Sequence, residues 1–197
     1  IEEPENTQSS QQTQTVINII TDHKPRKKRK VNKGGHLIAD ILHGFVIVLI
    51  VFIIFKVLLL NGSVASKSME PTLCVGDITI ANRIAYSVRT PERGDIIFFK
   101  EEGKVVSKRV IGIGGDVVTF SEGKVSINGE LLDESAYLQD DVVTECDNTY
   151  EVPQGEVFVL GDNRQNSNDS RFWTEPYVKE EDIIGKLMIT IPLHMFL

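Results

Sequence analysis

Histidine is scarce in this chain of 197 residues, and the four present are badly placed for catalysis. His23, His36 and His43 fall early, and His194 lies three residues from Leu197. Histidine is the usual base for a serine nucleophile, so a Ser-His-Asp arrangement is poorly supplied. The two cysteines, Cys74 and Cys146, allow at most one bridge. Whether they meet is open, and a small buried apolar role suits Cys74 as well. Nothing in the composition suggests a metal or a cofactor. Beyond residue 60 the chain has neither an internal repeat nor a strong helical period, which sets aside repeat and helical-bundle architectures. The same region lacks positive charge. Its 13 Lys and Arg stand against 23 Asp and Glu, the opposite of a nucleic-acid-binding surface.

Long apolar runs are also few, which gives weight to the one that exists. Leu37 to Leu60 is interrupted only by Asp40, His43 and Lys56. A helix needs about 20 residues to cross the hydrocarbon core, and Lys56 sits close enough to one end to snorkel. A cleaved secretory signal would have a shorter apolar region of about 7–15 residues. The segment therefore reads as an uncleaved anchor. The preceding stretch, residues 1–36, is polar and then basic, too poor in apolar surface to offset its ordering entropy. It begins at Ile1 rather than Met, as expected of a processed or partial product. Seven basic residues from Lys24 to Lys33 flank the apolar run, whereas the twenty residues after Leu60 contain only Lys67. The positive-inside rule then places residues 1–36 in the cytoplasm and 61–197 outside. A nuclear-localisation patch is the alternative for Lys24–Lys30, but topology fits better directly before a spanning helix.

Residues 61–197 read as β-structure. Short β-branched and aromatic runs alternate with turn residues: Ile78–Ala81, Ile96–Phe99, Val105-Val106, Val117–Phe120, Lys124–Ile127 and Val157–Leu160. Asn128-Gly129 predicts a hairpin, Gly185–Ile191 a closing strand, and Lys179–Asp182 a short helix. The expected fold is mostly β, with one N-terminal transmembrane helix (37–60) before an antiparallel β-sheet domain (61–197).

Lysine can stand in for histidine as a base where burial penalises its charged form. Lys108 lies in Val105-Val106-Ser107-Lys108-Arg109-Val110-Ile111. On a strand it shares a face with Val106 and Val110, leaving Arg109 on the other face and free to stay solvated. Alone, this reads rather as an ordinary surface lysine on an edge strand. Ser68, in Ser68-Met69-Glu70-Pro71-Thr72-Leu73, lies eight residues beyond the apolar run, and Pro71 stiffens its turn.

These two stretches together resemble the catalytic elements of the type I signal peptidases, whose Ser-Met-x-Pro-Thr-Leu pattern is matched at every fixed position. Arg93-Gly94-Asp95-Ile96 resembles a further block of that family. So does Gly161-Asp162-Asn163-Arg164-Gln165-Asn166-Ser167-Asn168-Asp169-Ser170-Arg171. The resemblance runs from about residue 37 to 191 and is to the short, single-anchor form of Gram-positive bacteria. It implies a membrane-bound serine endopeptidase that removes signal peptides from secretory preproteins with small side chains at −1 and −3. It implies Ser68 as nucleophile and Lys108 as general base, with the Ser68 N–H and the Ser66 hydroxyl as oxyanion donors. Met69 would pack near the substrate pocket. Ser167 would orient the lysine amine, and Asp162, Asp169 and Arg171 would form a supporting ion-pair shell. The partners implied are preproteins and the lipid membrane, with no nucleic acid. Lys67 stands where some members have Gly.

Rival readings exist for each block. Arg93-Gly94-Asp95 is also the integrin-adhesion triplet, although a strand follows it. The Asp/Asn-rich 161–171 block hints at a Ca²⁺ loop, but Arg164 occupies a ligand position and Ser167 replaces the turn glycine. Gly112-Ile113-Gly114-Gly115 lacks the Lys-Ser/Thr of a phosphate loop. For the whole chain the rivals are a catalytically silent anchored β domain binding proteins or cell wall, and a self-cleaving repressor-type Ser/Lys protease. Ser63–Ser66 and Lys104–Ser107 are candidate edges for an extended peptide.

Overall fold

The computed structural model describes residues 33–139 and 141–195, with no side-chain detail for residues 33–37 and 194. The expected polar tail therefore falls outside the described residues, apart from its last four. Those four are helical. Helix α1 spans Lys33–Leu58, so it starts earlier and ends sooner than the expected 37–60. Within it, Ile38–Leu58 is 21 residues long. At 1.5 Å per residue that is about 31 Å, enough to cross a bilayer. This helix, the one among the described residues long and apolar enough to span, is a candidate membrane anchor. Its last carbonyl, on Leu58, accepts a hydrogen bond from the Arg83 N–H at 2.9 Å, which satisfies one of the acceptors a helix end leaves open.

The chain divides into two compact units, Ile1–Ile47 and Val48–Leu197. The second contains every strand among the described residues, and it is mostly antiparallel β-sheet as expected. The larger sheet has the order β1-β2-β11-β3-β4-β9-β10. Its strands are β1 (Leu59–Ser63), β2 (Ile78–Asn82), β3 (Ile96–Glu101), β4 (Lys104–Ile113), β9 (Glu156–Leu160), β10 (Tyr177–Lys179) and β11 (Ile183–Ile191). A smaller sheet, β7-β6-β5-β8, holds β5 (Val117–Ser121), β6 (Lys124–Ile127), β7 (Glu130–Leu131) and β8 (Tyr150–Glu151). The Asn128-Gly129 hairpin joins β6 to β7 as expected, both residues having positive φ (54° and 85°), which is what a two-residue primed turn demands. Lys179–Asp182 gives only a short 3-10 turn at Glu180–Asp182.

Burial explains the register. In β9, Phe158 and Leu160 enter one core cluster, with Ile111, Val118 and Tyr150. Val157 and Val159 enter another, with Ile97, Phe99 and Val110. The strand is thus covered on both faces, which accounts for its continuous apolar run. A third cluster, Val64, Met69, Leu73 and Ile96, lies under the turn that follows β1. Cys74 and Cys146 are both free thiols.

The Arg-Gly-Asp triplet is committed to the fold. Asp95 is buried, accepts from the Tyr86 hydroxyl at 2.7 Å and pairs with Lys186, while Arg93 pairs with Asp116. That removes the adhesion reading, which needs the Asp95 carboxylate exposed.

Candidate active site

Strand β4 carries Lys108. Its partner β3 holds it in register through Ile97↔Lys108. The pairing with β9 begins only at Arg109↔Leu160, so from Lys104 to Lys108 the other edge of β4 has no strand beside it among the described residues. Ser68 sits in a turn after β1, anchored by the buried side chains of Met69 and Leu73. Ser68 and Lys108 line one cleft of about 450 Å³, together with Ser66, Asn166, Asn168 and Trp173.

Lys108 is only 4% exposed. Burial pulls its amine down from 10.5 to about 8; the Asp169 carboxylate opposes this, the Arg171 guanidinium adds to it, and Asp162 opposes it. It forms no ion pair among the described residues. A lysine that titrates near 8 is a usable base at neutral pH. Ser66 Oγ lies 3.3 Å from Ser68 Oγ. Met69 is 1% exposed in the third core cluster and is not part of the cleft wall.

Ser167 is buried against Gly161, and its Oγ makes no hydrogen bond; the expected bond to the Lys108 amine is not formed. A Cβ on Gly161 would overlap Ser167 Oγ and Cβ and the Ser68 carbonyl oxygen. We expect Gly161→Ala to lower activity about a hundredfold, since displacements of about 1 Å cost that much in a positioned site. Overpacking of this kind costs stability of about 1–3 kcal/mol. Steady-state rates and thermal melts of the two proteins check both numbers.

The charged surroundings differ from expectation. Asp169, fully buried, does pair with Arg171 through both oxygens, at 2.8 and 3.0 Å, and accepts the Gly161 N–H. Asp162 pairs instead with Arg109, which donates from Nε at 2.8 Å and from Nη2 at 2.6 Å. Arg109 is therefore buried rather than solvated. Face alternation correctly turned it away from Lys108, but a buried carboxylate from residue 162 covers that face too. Thr72 donates to the same carboxylate at 2.5 Å, tying it to the turn of Ser68.

Asn163 stands in the matched block, but nothing in the sequence gives it a role of its own. Its N–H donates to the Ser68 carbonyl and its Nδ2 to that of Lys67, each at 3.1 Å. Arg164, also buried, donates from Nε to the Gly161 carbonyl at 3.0 Å. Its exclusion from a Ca²⁺ loop was the available signal: a cation inside an acidic block is there to be paired.

A second cleft, about 350 Å³, adjoins Ser66. Leu60–Ser66 form one side, and Phe98 with Lys104–Ser107 the other. Strand β1 is a sheet edge and Lys104–Ser107 is unpaired on its β9 side, so two backbone edges line one cleft.

Known proteins share this arrangement of sequence. Probable signal peptidase I-2 of Synechocystis sp. is 38% identical over 134 residues, covering 64% of this chain and 60% of its own length. Signal peptidase I of Pseudomonas aeruginosa is 30% identical over 208 residues, covering 84% of this chain and 73% of its own. This chain thus spans about 60% of the first relative. A crystal structure of a signal peptidase I from Enterococcus faecalis is 33% identical with a TM-score of 0.45, covering 51% of this chain and 99% of that one. The family model described as signal peptidase, peptidase S26, matches residues 37–191. With that match running from within the apolar helix to the end of the last strand, this chain belongs to the signal peptidase family, peptidase S26.

Proposed function

We propose that the chain is a membrane-anchored serine endopeptidase that removes signal peptides from exported preproteins. The observation that carries this is a lysine amine, buried and lowered to about 8, in one cleft with Ser68. In this reading Lys108 Nζ takes the Ser68 hydroxyl proton as Oγ attacks the scissile carbonyl. The Ser68 N–H and the Ser66 hydroxyl hold the developing oxyanion, fixed donors of the kind worth about 3 kcal/mol in a transition state. The proton passes to the leaving amine as the peptide bond breaks and an ester forms on Ser68. Lys108 then activates water to hydrolyse it. The Ser167 hydroxyl, buried and without a partner, would be available to bond the neutral Lys108 amine in the reacting state, as a buried hydroxyl left unpaired is costly.

The substrate would lie extended between the edges of residues 63–66 and 104–107, adding backbone hydrogen bonds to both. That narrow space suits small side chains at −1 and −3. The residues before the span would be cytoplasmic, Ile38–Leu58 the anchor, and the sheet domain that starts with β1 at Leu59 extracytoplasmic. Ser68 lies ten residues past the helix end, at most about 35 Å along the chain, within reach of the membrane surface.

The test is a preprotein with an Ala-x-Ala site incubated with purified protein in detergent, with products read by mass spectrometry. Ser68→Ala and Lys108→Ala each lose more than about a thousandfold in kcat. The base must be neutral, so kcat/KM rises tenfold per pH unit below about 8 and levels above it. A folded wild type that cleaves no preprotein favours the silent binding domain.

A further inference from the structure

The loop joining β7 to β8, residues 132–149 with residue 140 outside the described ones, belongs by connectivity to the smaller sheet, yet its groups reach the cleft's supporting charges. It meets each of three buried arginines there. The Arg109 guanidinium lies over the Tyr137 ring, 3.9 Å from its centroid. Glu134 accepts from Arg164 through both oxygens, at 2.5 and 3.2 Å, and Thr144 Oγ1 accepts from it at 2.6 Å. The Glu145 carbonyl accepts from Arg171 at 3.4 Å. The Tyr137 hydroxyl donates to Glu134 at 2.9 Å, so the first two contacts are linked.

The loop is itself held firmly. Asp133 accepts from the Ser135 N–H and hydroxyl, and the Leu138 N–H donates to the Glu134 carbonyl. Its roots are pinned to the smaller sheet by Leu132 N–H to Val125 O and Thr144 N–H to Gly123 O. A rigid element that grips two separate parts of a site fixes the distance between them.

We propose that this loop is a clamp setting the Ser68 turn against strand β4, with Tyr137 and Glu134 as positioning residues of the reaction. The proposal rests on the peptidase reading above. Tyr137 covers the face of the guanidinium that holds Asp162, and Asp162 holds Thr72 in the Ser68 turn. Arg109 is the neighbour of Lys108. One side chain from this loop thus covers the only direct ionic tie among the described residues between the strand of Lys108 and the 161–171 block. An aromatic face over a partly desolvated guanidinium both attracts it and keeps water from the ion pair. Glu134 pairs with Arg164 through both oxygens, and Arg164 Nε donates to the carbonyl of Gly161, the residue whose Cα side abuts the Ser68 carbonyl.

The experiment compares Tyr137→Leu, Tyr137→Trp, Thr72→Val and the double variant Tyr137→Leu/Thr72→Val in the full chain in detergent. Tyr137→Leu is expected to lower kcat at least about tenfold with KM within about twofold, the signature of lost positioning. Tyr137→Trp, which keeps an aromatic face, recovers most of the loss. The double variant costs no more than the worse single one, because both act through Asp162. A KM rise with kcat unchanged, rescue no better with Trp than with Leu, or multiplying losses would overturn the clamp. If the wild type itself cleaves nothing, the peptidase reading fails, and amide exchange then decides the clamp separately. Faster exchange at Leu73 and Asn163 in Tyr137→Leu, with β5 and β6 unchanged, supports it; equal exchange at those amides refutes it.

Discussion

Replacing Lys108 with methionine is expected to abolish cleavage and, at neutral pH, to make the protein more resistant to unfolding. The two effects have one cause. Burial holds the Lys108 amine near 8 instead of 10.5. Between those values the unfolded state binds the proton and the folded state does not, so wild-type stability rises with pH across that window. Below about 8 both states are protonated, and the folded one bears the full cost of a buried ammonium. At pH 7 that cost comes to about 3 kcal/mol. Methionine has similar length, no charge, and fits beside Val106 and Val110. The variant should melt about 5–10 °C higher at pH 7, and the difference should vanish near pH 10.5. Thermal unfolding of both proteins at several pH values measures it. A Lys108→Met protein that is equally stable or weaker at pH 7 would mean the amine is not held against its own solvation. The base role would then lose its physical footing. Sites that need a destabilised group commonly give up stability for it.

How much of this was readable in the sequence depends on whether an interaction is local. The β9 run, the Asn128-Gly129 hairpin and the apolar helix follow from periodicity and turn chemistry, which operate over a few residues. Strand β1 was missed because Leu59 and Leu60 continue the apolar run without a break. Only pairing with Leu60↔Ala81 and its neighbours turns them from helix to strand. Strand β8, two residues long, has no pattern of its own and exists because Val118 pairs with Tyr150. At the cleft, Ser68 and Lys108 stood out because their motifs are specific. Arg109 was misjudged because alternation fixes only which face a side chain takes, and its partner Asp162 is 53 positions away. The contacts of Tyr137 and Glu134 lie in a loop without motif or period, so no sequence rule points to them. Met69 shows the converse: its motif is legible, but its burial beside Leu73 and Ile96 is a tertiary fact.

Removing Asp169 should produce the largest loss of stability at this site and also move the pH dependence of cleavage. Asp169→Ala leaves the Arg171 guanidinium buried without its carboxylate and the Gly161 N–H without its acceptor. Breaking a buried pair from one side costs about 3–5 kcal/mol. Asp169→Asn, which keeps an acceptor for Gly161, is the variant to use where the alanine protein does not fold. The kinetic effect has a definite sign. Asp169 is the main charge holding the proton on Lys108, and Arg171 acts against it. Without the carboxylate, the lysine amine falls below about 8, so the acid limb of kcat/KM shifts to lower pH even as the plateau drops. Removing both partners, as Asp169→Ala/Arg171→Met, should regain much of the stability, because a well-filled apolar replacement of an ion pair is often neutral. It should also return the limb toward its wild-type position, since the opposing charges leave together. Urea or thermal unfolding gives the first comparison and a pH–rate series the second. A limb that stays fixed through all three proteins would show that the group titrating in catalysis is not the lysine beside Asp169.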